Sequence, residues 1–433
     1  MGILSQCSIN PLAVLYPINP YYSLVKIGLC NRLLYPIKDF EAFKKGYANY
    51  CAFMVKSLKG KVKVWEVWNE SFILKPTFGG SWNAKEEAEG GKGGWLRKFV
   101  ELIEVAVPAI REVDPDAIII AGGHGPVADH RMLDILKKKK AARLLDGIVS
   151  HLYPHKFPPE VHAYGGKIYH ERDGITVADD DHSYFSIIRR LREKMKAAGM
   201  RTTDIYMTEF GYTTYHRTLG SPSKGDPVFE GFSEATQAKY LTRYFILQLV
   251  SGIKVAIQYD FQDDGMGSIK HQEGHWGLVR HPRKNYEPKP SFYAVQRLCT
   301  LLSDPVKQFK PDWKTTVSPD RYLPSKNWKY IEPYMIWDGQ KIQSLNRVEK
   351  YLFRNAKTGE VMLVLWNAVR PSDRSDLLSD VTLDTAGYTG FTGIDIMTGK
   401  SFKVNASTKD GKTVVKDVVI PDYPVVIRMT PRK

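Results

Sequence analysis

The sequence predicts an α/β chain, a parallel sheet with helical crossovers, followed by an antiparallel β-sandwich. Three observations predict it. Strand-length apolar runs alternate with longer amphipathic stretches as far as Leu302. Those runs are almost continuously apolar, as strands covered on both faces must be. Beyond Lys350 the pattern changes to short strands separated by turn signals.

The elements follow in order. Ile9–Tyr16 is apolar despite Pro11 and reads as a strand. Asp39–Leu58 places Phe40, Phe43, Tyr47, Tyr50 and Met54 three or four apart, on one helix face. Val62–Trp68 is a strand and Trp95–Val113 a helix. Strands Asp116–Ala121, Gly147–His151, Asp204–Thr208 and Lys254–Phe261 then alternate with helices Met132–Leu145, Tyr184–Ala198 and Glu234–Val250. Helix Pro290–Leu302 closes the series. This gives six β/α units, whereas a closed barrel of such units needs eight. Asp312–Asp338 is rich in Pro, Trp and Tyr without helical period, and its aromatics suit packing between domains better than a ligand. Tyr351–Phe353, Val361–Trp366, Val381–Leu383, Phe391–Ile396, Val414–Ile420 and Val425–Met429 read as sandwich strands. Turns at Lys357-Thr358-Gly359, Thr398-Gly399 and Asp410-Gly411 separate them.

The composition fits two domains: 433 residues, 43% hydrophobic and 12% aromatic, too apolar for a disordered chain. The net charge of +15 has two readings, an acidic partner or a solvated basic exterior. Lys137–Lys140 reads as a solvated helix end rather than a nucleic-acid patch. Cys7, Cys30, Cys51 and Cys299 form no CxxC pair, so zinc and thioredoxin-type chemistry lack support. No apolar run is long enough to span a bilayer, and no signal peptide is visible. Localisation stays open, cytoplasmic or, if an N-terminal segment is missing, secreted.

In a barrel of β/α units the C-terminal strand ends carry the chemistry. Asn69-Glu70 follows the second strand and Glu209-Phe210-Gly211 the fifth. His151, Tyr153 and His155 follow the fourth, Tyr259, Asp260, Asp263 and Asp264 the sixth, and Gly122-Gly123-His124-Gly125 the third. Two glutamates thus end two strands on one rim. Glycoside hydrolysis needs such a pair, one carboxyl protonated to donate to the leaving oxygen and one ionised to attack the anomeric carbon or activate water.

Val64-Trp-Glu-Val-Trp-Asn-Glu70 resembles the acid/base strand of clan A glycoside hydrolases, and Thr208-Glu-Phe-Gly211 their nucleophile strand. Tyr259–Gly265 with His275-Trp-Gly-Leu-Val279 is similar to their eighth strand and its loop, and Lys289–Ala294 to the start of the last helix. The resemblance is nearest to family 39, then family 5. It implies a (β/α)8 TIM-type barrel, incomplete here with six visible β/α units, and a C-terminal antiparallel β-sandwich. The implied domains are a catalytic barrel over 1–305 and a linker plus sandwich over 306–433. The implied activity is retaining hydrolysis of a β-linked glycoside in an oligo- or polysaccharide, without a cofactor or metal. Glu70 would be the acid/base and Glu209 the nucleophile, their carboxyls about 5–5.5 Å apart. Asn69 would bind the neighbouring sugar hydroxyl, and His151 or Tyr153 would touch the nucleophile or sugar. Trp276 would stack on a sugar face, with Tyr259 and His124 lining the site.

Other residues read more plainly. Glu66 shares the strand face of Glu70 and reads as a paired, structural interior carboxylate. Pro154 argues against His151 and His155 as a helical ligand pair. Asp179-Asp180-Asp181 reads as a loop and helix-cap cluster. The Gly122–Gly125 stretch lacks nucleotide-loop spacing. Strands one and two of the family have no counterpart, nor does the arginine that supports the nucleophile. A longer gene product, an open six-unit barrel with its edge covered by a second subunit, or strands drawn from 310–345 would each account for this. The implied partners are a carbohydrate, tilted by the charge toward an acidic one, and neither nucleic acid nor membrane. The rival function is a weak or inactive barrel homologue that binds glycans or acts as a scaffold.

Overall fold

The computed structural model describes residues 9–16, 37, 39–70, 94–162, 164, 174–215, 231–264, 272–318, 321–322, 334–337, 340–343, 347–369 and 377–432. Cys7 and Cys30 lie outside these residues. The chain forms two compact units. One comprises Met1–Leu152, Tyr164–Phe210 and Ile253–Ile257, the other Tyr153–Ala163, Gly211–Gly252 and Gln258–Lys433.

The first unit holds six parallel strands, β1 (Leu12–Leu15), β2 (Val64–Val67), β3 (Ile118–Gly122), β4 (Gly147–His151), β5 (Ile205–Glu209) and β6 (Val255–Ala256), paired in chain order. Helices α1 (Phe40–Leu58), α2 (Trp95–Val113), α3 (Pro126–Lys138) and α4 (Tyr184–Ala198) connect the first five. Strand parity sorts the apolar side chains. Ile120, Val149 and Tyr206 pack with Leu12, Val64, Ile118 and Val255 on one face, while Trp65, Val67, Ile119, Ile148 and Met207 are buried on the other. Asp39 caps α1, its Oδ1 accepting from the Glu41 and Ala42 amides at 2.9 and 3.1 Å. Tyr47 then ties α1 to β1 by donating to the Leu15 carbonyl at 2.8 Å.

Two elements differ from expectation. Helix α3 starts at Pro126, not Met132, because proline suits the first helical position. It ends at Lys138, and a separate 3-10 turn covers Ala142–Leu144. Strand β6 is only two residues of the expected eight. Among the described residues it pairs with β5 alone, so ladder hydrogen bonding ends where that one neighbour ends.

The second unit contains α5 (Glu234–Val250) and α6 (Pro290–Leu301) and strands β7 (Val306–Gln308), β8 (Thr315–Val317), β9 (Arg321–Tyr322), β10 (Tyr334–Trp337), β11 (Gln340–Gln343), β12 (Val348–Asn355), β13 (Val361–Asn367), β14 (Leu377–Leu383), β15 (Tyr388–Asp395), β16 (Ser401–Lys403), β17 (Asn405–Lys409), β18 (Lys412–Ile420) and β19 (Val425–Pro431). Sheet β16-β15-β19-β13-β12-β7 faces sheet β17-β18-β14-β8, to which β9 adds through β14. Leu363, Leu365 and Ile427 of one share a core with Val381, Val415 and Ile420 of the other, which makes this a β-sandwich. Strands β8 and β9 pair with β14, and β10 pairs with β11 alone, so the described part of 310–345 adds no strand to the parallel sheet. Trp313 packs on Phe309 and Tyr388 in the sandwich.

Within this unit Arg243 of α5, fully buried, is held by Glu160. Its Nε donates to Glu160 Oε1 at 2.9 Å and Nη2 bonds the other oxygen. Nη1 donates to the Val369 and Asp422 carbonyls at 2.8 and 3.2 Å. Trp366 Nε1 also donates to Glu160 Oε1, at 2.7 Å. One ion pair therefore satisfies polar groups from the helix and two sandwich segments. Removing one partner leaves a buried charge uncompensated. Arg243→Met is expected to cost about 3–5 kcal/mol in urea unfolding, and Arg243→Met with Glu160→Met to recover most of it. A single-variant loss under roughly 1 kcal/mol would contradict the buried pair.

Candidate active site

Strand β2 ends at Val67, and the next residues leave extended geometry. Trp68 has φ 67° and Glu70 φ 39°, left-handed values that L-residues adopt at a cost. The first turns Trp68 away from the alternation of the strand and into the aromatics of α1, 6.0 Å from Phe43 and 5.5 Å from Tyr47 between ring centroids. Released from strand parity, Asn69 and Glu70 both stand half-buried at the strand end.

A second irregularity positions Glu209. Strand β5 pairs Tyr206 with Val149 but Glu209 with His151, so it uses one more residue than β4 over that step. This β-bulge resets the parity. Thr208 and Glu209, which a regular strand would point to opposite faces, both reach the His151 ring. Thr208 Oγ1 lies 2.9 Å from Nε2 and Glu209 Oε2 3.6 Å from Nδ1. Glycine is needed opposite: at Gly123, φ 78°, a Cβ would come within 3.1 Å of His151 Nε2.

His151 is the centre of the cluster, its side chain 2% exposed. Nδ1 donates to Glu70 Oε1 at 3.0 Å, and Glu66 Oε1 lies 3.8 Å from Nε2. Burial opposes a charge on the ring, but the carboxylates of Glu209, Glu70 and Glu66 outweigh it, and the pKa rises from 6.5 to about 9. Glu66 is 1% exposed. Burial pushes its pKa from 4.5 to about 7, against the pull of His151 and the Thr208 hydroxyl. At neutral pH the ring is an imidazolium serving three carboxyl groups.

One oxygen of Glu70, one of Glu209 and a ring nitrogen of His151 lie within 4.8 Å of one another. Such donors could bridge a cation, for which His151 would have to be neutral, since an imidazolium is not a ligand. Chemically, the arrangement offers two carboxyl groups facing one small volume, with a fixed charge beside both.

The remaining expected site residues fall into two groups. His124 is buried in the first unit, its Nδ1 3.0 Å from Asp129 Oδ1 and its ring 4.8 Å from Phe99 and 5.4 Å from Trp95. Tyr153, Tyr259 and Trp276 gather in the second unit, with Trp276 5.2 Å from Tyr153 and 6.2 Å from Tyr259, both edge-on. The backbone there is fixed by polar side chains. Gln258 Nε2 donates to the Trp276 carbonyl at 3.0 Å, and Asp263 accepts from the Gly277 amide and from Lys289 at 2.9 and 2.7 Å. The Asp179 cluster serves α4: Ser183 caps the helix, Asp181 accepts from the Ser183 amide, and Asp179 pairs with Arg189 and Arg190. Sequence reasoning missed Thr208 and Gly123. A Gly-Gly pair after a strand is a signal of close approach, whereas nothing local marks Thr208.

The raised pKa of His151 has a sign. Its stabilising contribution is complete below pH 6.5 and is lost as pH rises through about 9. NMR titration of the imidazole should find it protonated at pH 7.5. Glu209→Gln should lower the midpoint more than Glu66→Gln does. An unchanged midpoint in Glu209→Gln would refute the charge arrangement.

Compared by sequence, the chain matches no protein-family model and no curated protein. Compared by structure, it resembles a family 39 glycoside hydrolase from the gut symbiont Bacteroides cellulosilyticus WH2, with TM-score 0.62 and 18% identity over 99% of this chain and 69% of that one. It also resembles a glucosidase from Croceicoccus marinus, with TM-score 0.55 and 13% identity over 100% of this chain and 80% of that one. The likeness establishes the fold. A parallel barrel-type sheet followed by a β-sandwich is the fold of the family 39 enzyme, as the sequence predicts.

Proposed function

We propose that this chain is a retaining glycoside hydrolase that cleaves a β-linked glycoside in an oligo- or polysaccharide by double displacement. The observation that carries this reading is the approach of the Glu70 and Glu209 carboxyl oxygens to within 4.8 Å. Carboxyl groups that close suit direct attack on the anomeric carbon, for which about 5–5.5 Å is usual. Single displacement needs roughly 6.5–9.5 Å to admit a water.

Glu209 takes the nucleophile role. Its carboxylate attacks the anomeric carbon while Glu70 donates a proton to the departing glycosidic oxygen. A covalent glycosyl-enzyme results. Water, deprotonated by Glu70, then cleaves that ester. His151, 3.6 Å from Glu209 and 3.0 Å from Glu70, holds both carboxyl groups in place beside the bond to be cleaved. Asn69 binds the hydroxyl next to the anomeric carbon. Tyr153 and Tyr259, half-buried, offer aromatic surface to a sugar ring, and Trp276, 2% exposed, packs against them. His124, committed to Asp129, takes a packing role.

The rival reading is a weak or inactive barrel homologue that binds glycans. It is favoured by the edge position of β1, where Val14 is 41% exposed among the described residues. Turnover separates the two. Glu209→Ala should cut hydrolysis of an activated aryl β-glycoside by about 10³-fold or more. Glu70→Gln should cut it less there than for a poor leaving group, since an aryl oxygen needs little protonation. The first product observed by NMR should retain anomeric configuration. Inversion, or variants as active as the parent, would overturn the proposal.

A further inference from the structure

Because β2–β5 run in one direction, the chain segments entering them gather at the end of the sheet opposite Glu70 and Glu209. At that end the terminus of α3, the turn after it and the terminus of α4 form a basic surface. Lys137, Lys138, Lys140, Arg143 and Lys196 are all exposed, and among the described residues none makes an ion pair. Three neighbouring acids, Asp134, Asp146 and Glu193, are already engaged. Asp134 binds Lys194 at 2.6 Å, joining α3 to α4. Asp146 binds Arg111 and, at 3.5 Å, Arg201. Glu193 binds Arg189 at 2.8 Å. Glu112, Asp114 and Asp116 stand on the segment that enters β3 and make no ion pair among the described residues.

The helix dipole accounts for a lysine or two in the last turn of α3. It does not account for Lys140 and Arg143, which lie beyond the helix. A five-residue strand spans roughly 17 Å, about two Debye lengths at physiological salt. The patch therefore acts apart from the carboxyl cluster. Neither the 137–146 nor the 192–204 segment contains an aromatic residue on which a base could stack.

We propose that this patch docks a linear carboxylate-bearing polysaccharide, holding the polymer on a surface distinct from the cleavage site. The choice of a polysaccharide rests on the glycoside hydrolase reading. The experiment is binding of the full chain to immobilised polygalacturonate across a salt series. The parent should bind at low salt and elute as salt rises. Lys137→Glu, Lys138→Glu and Lys140→Glu together should weaken binding about tenfold or more and flatten the salt dependence. The same charge change made with Lys403→Glu, Lys409→Glu and Lys416→Glu, exposed positions on the sandwich, should have little effect. Thermal unfolding checks that both triple variants fold. No binding by the parent, equal loss in both triple variants, or tighter binding to duplex DNA than to polygalacturonate would each overturn the proposal. Aryl glycoside hydrolysis should be unchanged in the α3 triple variant. Because that assay reads the cleft alone, failure of the hydrolase reading and failure of the docking surface are told apart.

Discussion

A single buried positive charge organises the site. An imidazole inside a protein ordinarily gives up its proton, since burial penalises the charged form. His151 keeps its proton because three carboxyl groups surround it, and they in turn can approach one another because it is there. Without that cation, Glu66, Glu70 and Glu209 would repel one another at this range. The ring is fixed from both sides, by Thr208 at Nε2 and Glu70 at Nδ1. Its orientation is a property of the fold rather than of a bound substrate.

Three departures from regular backbone create this arrangement. Left-handed Trp68 and Glu70 end β2, the bulge in β5 doubles the residues that face β4, and Gly123 leaves room for the ring. A uniform sheet would have supplied only every second residue, putting either Thr208 or Glu209 at His151 but not both. Backbone strain at such points persists when surrounding packing over-determines it. Here the burial of Trp68 between α1 aromatics, and of His151 against Gly123, provides that packing.

Much of this was legible in the residues. The helices at Trp95–Val113, Tyr184–Ala198 and Glu234–Val250 match their expected bounds because periodic apolar faces run their length and a Ser or Gly stands at each N-cap. The strands were legible by their continuous burial. The short strands β7 to β11 were not, and neither were β16 and β17, in which every residue is exposed, since an edge hairpin needs no apolar alternation. At the site, the adjacency of Asn69 and Glu70 already required a strand end or kink, and the structure has one. The bulge was invisible, since an extra residue in a strand shifts parity without altering composition. Glu66 was legible as a buried interior carboxylate, and it lies 3.8 Å from the His151 ring. The histidine beside it, His151, stands at the end of another strand, and that neighbour was a matter of topology.

Net charge shows most plainly what a sequence leaves open. A balance of +15 invites an acidic substrate, yet a sum carries no positions. The lysines and arginine after α3 stand at one end of the parallel sheet, and the groups proposed for catalysis at the other, where three carboxyl groups share one imidazolium. With salt present, charge at the first end is largely screened at the second. A uronate at the cleft would meet local carboxylates rather than the distant lysines, so the total charge is no argument for an acidic sugar at the cleaved bond. Any attraction to a polyanion is therefore to be sought on the basic end.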